Sequence, residues 1–158
     1  QGLIRHFNAA ANISTTYLIL ANFIYNSEGQ TYPAIPKLFN KIYPIINHGD
    51  NWISVIHLDD LCSSILHLLN NNISEKIINL VDGKPIMQKD WIKMLSRVNL
   101  LPHPLPIPTA ISNLLYGQAA TTNLTNSAKL KNELLKSTNY WFKFPDYQAG
   151  LAKFLVNM

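Results

Sequence analysis

Asn51-Trp52-Ile53-Ser54-Val55-Ile56-His57-Leu58-Asp59-Asp60-Leu61-Cys62-Ser63-Ser64-Ile65-Leu66-His67-Leu68-Leu69 is the stretch from which the rest of the chain can be read. Trp52 to Ile56 is a short apolar, β-branched run, the composition of a buried strand. His57 and Leu58 turn the chain. Asp59 stands where a helix N-cap belongs, and Asp60 falls in the first turn, against the positive end of the helix dipole. Leu61, Ile65 and Leu68 then recur at helical spacing, and Cys62, Leu66 and Leu69 widen the stripe. The reading is strand, tight turn, capped helix, with Cys62 as a buried structural thiol.

The bulk composition sets limits on the rest. The 158 residues suit one domain, and 47% hydrophobic against 14% charged residues is too apolar for a disordered chain. No apolar run reaches the roughly 18–20 residues of a membrane span. No basic and apolar leader opens the sequence. The net charge is +4, but the lysines are dispersed and no nucleic-acid motif accompanies them, so solvated helix faces explain them better than a nucleic-acid partner. A single cysteine fits a reducing compartment such as the cytoplasm.

Along the chain, residues 1–12 read as the end of a helix. Thr15 to Tyr25 is apolar nearly throughout, which predicts one parallel strand buried on both faces. Residues 30–40 are short helical or irregular, limited by Pro33 and Pro36. Residues 43–50 give a strand and a turn at Gly49-Asp50. Lys76 to Val81 is a strand, Asp82-Gly83 a turn, and Gln88 to Val98 an amphipathic helix with Trp91, Ile92, Met94 and Leu95 inward. Alternate prolines from Pro102 to Pro108 enforce extended backbone. Thr109 caps a helix that Gly117 ends. A polar loop follows, then a lysine-rich helix over 126–136 with Leu130, Leu134 and Leu135 inward. Pro145 opens a last helix running to Leu155.

Ile56-His57-Leu58-Asp59-Asp60-Leu61 resembles the "IHVDDL" signature of extended short-chain dehydrogenases/reductases, the NAD-dependent epimerase/dehydratase superfamily. Ile77-Ile78-Asn79-Leu80-Val81-Asp82 is similar to the "yNlvdd" strand of that superfamily. Asn126 to Leu135 together with Phe144 to Leu151 resembles its ending, "SNaKlkkELGw…yPsyreGL". Leu20 to Glu28 is similar to its "RPGNIYGPG" segment, with only Ile24-Tyr25 matching closely. The resemblance runs from about Thr15 to Leu155.

The resemblance implies an α/β fold: the C-terminal portion of a Rossmann-like extended short-chain dehydrogenase, a few mostly parallel strands with a helical substrate-binding part. Residues 1–82 would form the last part of the Rossmann-like sheet, and 83–158 the mostly helical remainder, within a single domain. By the same resemblance, Ala21, Asn22 and Tyr25 would approach the cofactor, and Tyr25, Gln30, Tyr32 and His57 the substrate. The cofactor would be NAD or NADP.

The chain carries no Gly-x-x-Gly-x-x-Gly turn to bring backbone against a pyrophosphate. It has no Tyr-x-x-x-Lys pair to transfer protons either. The resemblance therefore implies an N-terminal half supplied separately, and no strong NAD(P) binding by this chain alone. An N-terminal half or a second copy is the expected partner, and the ligand a small molecule. No catalytic residue is assigned. Asp59 and Asp60 are explained by helix capping, so no metal is expected. Two functions stay open: the substrate-binding half of an NAD(P)-dependent epimerase, dehydratase or reductase, and a non-catalytic structural or assembly subunit descended from one.

Overall fold

A computed structural model describes residues 16–39, 41–71, 73 and 77–152. The helix expected over 1–12 lies outside them. Among the described residues, five helices and nine short strands form an α/β arrangement in which three of the five strand pairings are parallel.

Strand β1 (Tyr17–Leu20) runs parallel to β7 (Ile77–Leu80). Strand β2 (Phe23–Tyr25) runs parallel to β6 (Val55–His57) and antiparallel to β3 (Thr31–Tyr32). Strand β4 (Pro44–Ile46) pairs in parallel with β9 (Leu105–Ile107), the extended stretch that the alternate prolines predict. Strand β5 (Trp52–Ile53) pairs antiparallel with β8 (Ile86–Met87).

Two expected single strands are thus divided. Trp52 to His57 breaks at Ser54, so that its halves join different sheets. Ser54 holds the break: its N–H donates to Asn22 Oδ1 at 2.8 Å, and its carbonyl accepts from Asn22 N at 2.8 Å. Thr15 to Tyr25 divides at Ala21-Asn22. Of its pieces, β2 is buried, but every residue of β1 is 37–48% exposed. That corrects the expectation of a strand covered on both faces.

Helix α1 (Leu58–Asn70) has its N-cap two residues earlier than the expected Asp59. Its N-cap is His57, whose Nδ1 accepts from Asp59 N at 3.1 Å. Leu61 and Leu68 face the core, while Cys62, Leu66 and Leu69 are exposed. The buried strip is narrower than the apolar composition suggests. Helix α2 (Gln88–Val98) keeps the expected bounds, with Trp91, Ile92 and Leu95 fully buried.

Helix α3 (Thr109–Thr125) is two helical segments joined at Gly117: with φ 80°, ψ 164° that residue ends the first segment, as expected, but a second segment follows where a loop was expected. A hydroxyl pair locks the fold-back: Ser112 Oγ lies 2.7 Å from Thr121 Oγ1, both buried. The N-cap position is Pro108, not Thr109, and the first helical N–H is satisfied from another loop, with Thr109 N donating to Asn47 Oδ1.

The lysine-rich helix is shorter than propensity suggests. Only Glu133–Ser137 (α4) is helical. Residues 126–132 are held extended by tertiary bonds: Ala128 N donates to Trp52 O, Leu130 N to Ser54 Oγ, and Asn132 Nδ2 to Val81 O. The last helix, α5 (Tyr147–Gly150), is opened by Asp146, whose Oδ1 accepts from Ala149 N, and not by Pro145.

Two apolar clusters result. One gathers Phe23, Tyr25, Ile53, Trp91 and Leu124; the other gathers Ile56, Leu61, Ile78, Leu80 and Leu135 under α1 and α4. Gly150 is required where it stands, because a methyl there would collide with the Tyr25 phenol. Gly150→Ala is expected to lower the melting temperature, and Tyr25→Phe in that background to recover part of the loss by removing the phenol oxygen. A double-mutant cycle by thermal denaturation reads the coupling.

Candidate functional site

Sequence places six residues at the site, and the structure distributes them unevenly. Tyr25 and His57 are register partners in β2 and β6, with ring centroids 5.2 Å apart edge to face. Both are interior: Tyr25 is 0% and His57 2% exposed. The Tyr25 hydroxyl donates to Asp146 O at 3.4 Å, and burial pushes its pKa up, so the phenol stays protonated.

His57 Nδ1 accepts from a backbone N–H, which assigns the ring proton to Nε2. That nitrogen donates to Ser27 Oγ at 2.9 Å. Burial lowers the His57 pKa despite the pull of Asp59 and Asp60, so a neutral imidazole serves as a structural link. Gln30 folds back on Asn26, whose Nδ2 donates to Gln30 Oε1 at 3.0 Å. Tyr32 is 51% exposed. Ala21 is half-buried in the bend after β1, and the Asn22 carbonyl oxygen is spent on Ser54.

A pocket of about 190 Å³ opens close to this bend, lined by Phe23, Pro33, Ala34, Ile35, Pro36, Ala120, Asn123 and Leu124. Phe23, on the pocket wall, opens β2 just after the Ala21-Asn22 bend. One wall is the segment after the cis Tyr32–Pro33 bond; the other is the second half of α3. Sequence reading missed this pocket because residues 119–126 read as a polar loop. Ala120, Asn123 and Leu124 do carry the i, i+3, i+4 signal of one helix face.

The fit to a dinucleotide follows from the described glycines with positive φ. A side-chain carbon at Gly29, Gly49 or Gly83 would strike Val98, Gln88 or Asn132, so these glycines serve internal packing. Only Gly117 faces open space. A lone glycine does not make a pyrophosphate cradle, and the residues described here do not by themselves fit a dinucleotide.

Two carboxylates anchor the segment after α4. Asp60 is fully buried and accepts from Lys143 N at 2.7 Å, Phe144 N at 2.8 Å and the Tyr140 hydroxyl at 3.1 Å. Asp59 pairs on the surface with Lys143 Nζ at 2.8 Å. Burial first, and the Asp60 charge with it, pushes the Tyr140 phenol up to about 12. Asp82, in the turn after β7, is buried near Asp146 and accepts from Lys84 N at 3.0 Å. Desolvation and the Asp146 charge push it from the ordinary 3.8 up to about 7, against the opposing pull of Lys84. Among the described residues, no three His, Cys, Asp or Glu side chains stand close enough to hold a metal ion. No helix among them is long and apolar enough to cross a membrane.

The parallel pairs β1–β7 and β2–β6, flanked by helices, define a Rossmann-like α/β protein. No family profile matches the chain. An epimerase family protein of Staphylococcus saprophyticus is 30% identical over 106 residues, 67% of this chain and 35% of that protein. A counterpart from Staphylococcus aureus is 29% identical over the same span.

Among solved structures, a human epimerase family protein with NADPH superposes with TM-score 0.66 at 18% identity, covering 99% of this chain and 55% of that one. A UDP-glucose 4-epimerase of Thermus thermophilus with NAD gives 0.66 at 13% identity, covering 98% and 50%. A dTDP-glucose 4,6-dehydratase of Streptomyces venezuelae with NAD gives 0.65 at 13%, covering 96% and 46%. Over those 106 residues the chain is related in sequence to epimerase family proteins, and it shares the fold of these NAD- and NADPH-bound structures. It spans about half the length of these solved chains and matches about a third of the curated relatives.

Two substitutions check the anchors. Asp60→Ala removes the acceptor of two part-buried backbone donors and of the buried Tyr140 phenol, and is expected to cost about 3 kcal/mol in urea denaturation. Asp82 favours the fold as a neutral acid. Its contribution is therefore full below its unfolded pKa near 3.8 and is lost as pH rises through about 7. Asp82→Asn, which cannot ionise, is expected to raise the melting temperature at pH 8 and to change it little at pH 4, read by differential scanning fluorimetry.

Proposed function

We propose that this chain is the substrate-side half of an NAD(P)-dependent epimerase, dehydratase or reductase, incomplete without a separate N-terminal half that binds the cofactor. The observation that carries this reading is strand β1, which is exposed along its whole length although it runs parallel to β7, whose Ile78 and Leu80 are buried. Parallel strands are normally covered on both faces. The matched relatives are longer than this chain, and the solved ones with NAD or NADPH share its fold, which supports a cofactor-binding half as the partner over a second copy.

The cofactor, bound mainly by that half, would supply hydride transfer. This chain's share is to bind and orient a small molecule in the pocket and to keep water from it with Phe23, Ile35 and Leu124. The pocket lining contains no titratable side chain, so the acid or base of any proton transfer would come from the other half. An exposed free thiol at Cys62 suits a reducing compartment such as the cytoplasm.

The lack of a titratable lining favours one second reading, a non-catalytic structural subunit. NADPH fluorescence titration separates the two. Under the enzyme reading, NADPH binds at least about tenfold more tightly to this chain mixed with the N-terminal segment than to the chain alone. An absence of binding in both states leaves the structural subunit.

A further inference from the structure

We infer that the pocket between residues 33–36 and the second half of α3 takes a small, uncharged, largely apolar molecule bearing a carbonyl or hydroxyl group, and not a nucleoside diphosphate sugar. This deepens the substrate-side reading above and rests on it. The argument is one of charge and size.

A diphosphate needs cations, best supplied as arginine forks that bond two oxygens at once. The pocket lining has none: Phe23, Pro33, Ala34, Ile35, Pro36, Ala120 and Leu124 are apolar, and Asn123 is the only polar side chain. The chain has two arginines, and the one among the described residues, Arg97, closes α2. Of the three lysines nearest the lining in sequence, Lys41 is exposed and does not line the pocket, and the other two are engaged elsewhere. Lys37 follows Pro36, but its ammonium sits 5.0 Å over the Tyr43 ring. Lys129 lies five residues past Leu124 and sits 3.7 Å over Trp52.

Size agrees with charge. A volume of about 190 Å³ is below the roughly 300–1,000 Å³ of pockets that enclose drug-sized ligands. It corresponds to about six waters at ~30 Å³ each. Phe23 and Ile35 are core residues, so the walls are fixed by packing. The Asn123 amide carries both a donor and an acceptor and can orient one neutral oxygen.

The test uses the full chain labelled with ¹⁵N, titrated separately with cyclohexanone and with UDP, and followed at the Ala120 backbone and Asn123 side-chain signals. Cyclohexanone is expected to shift both saturably, with an affinity on the order of millimolar, and UDP to leave them unmoved at equal concentration. Ala120→Trp fills the pocket and is expected to weaken cyclohexanone at least about tenfold. Asn123→Leu, which preserves the apolar volume, should remove the preference for cyclohexanone over cyclohexane. Shifts at these signals with UDP, no response to cyclohexanone, or undiminished binding by Ala120→Trp would each overturn the inference. NADPH binding is read separately, so failure of the substrate-side reading is told apart from failure of the pocket's selectivity.

Discussion

The Asp60 carboxylate is the constraint on which the rest of the arrangement depends. It is ionisable and fully buried, an expensive combination unless each oxygen is bonded. Its partners are all supplied by residues 80–84 positions away: Lys143 N and Phe144 N, and the Tyr140 hydroxyl. One side chain in the first turn of α1 thus fixes where the chain must return. That return brings Phe144 within 4.0 Å of the His57 ring, centroid to centroid, and sets the approach of α5 to Tyr25. Isolated helices as short as the five-residue α4 and the four-residue α5 are not stable in water, and this anchor acts with the buried Leu135 and Leu151 in holding them.

From the anchor, the interior follows as a chain of contacts. Tyr25 packs edge to face with both His57 and Trp91, and Trp91 with Tyr147 of α5. The aromatic line ties the β2–β6 pair, α2 and α5 into one body, and Gly150 marks its closest approach. The residues that resemblance assigns to cofactor and substrate, Tyr25 and His57, are in this structure the frame behind the pocket. Phe23, two residues before Tyr25, is the side chain of that strand that reaches the pocket wall.

The sequence was legible where local signal and tertiary demand coincide. Gln88 to Val98 has a strong helical period and a buried face, and its bounds are those expected. The His57-Leu58-Asp59-Asp60 turn announced strand to helix correctly, but not that the histidine would do the capping. It failed where tertiary bonds overrule propensity. Lysine, leucine and glutamate favour helix over 126–136, yet three hydrogen bonds to β5, β6 and β7 neighbours hold the first half extended. Gly117 carries the conformation of a helix end, as its sequence signal says, but the second helical segment beyond it, tied back by the buried Ser112–Thr121 pair, was not legible. The pocket was hidden with it, since three of its eight lining residues lie on that second segment. Period alone could not divide Thr15 to Tyr25, because the break is held by Asn22 and Ser54, which lie 32 residues apart.

Cys62 has a practical consequence for the spectroscopy of this protein. It is the chain's only cysteine, and it is exposed on the outer face of α1, beside the exposed Leu66 and Leu69. One thiol-reactive dye therefore gives one label per molecule, at a known position, without any substitution. The label sits on a helix whose first turn is clamped through Asp60, so its orientation is set by the folded body. Its emission and anisotropy report directly on whatever comes to cover that face.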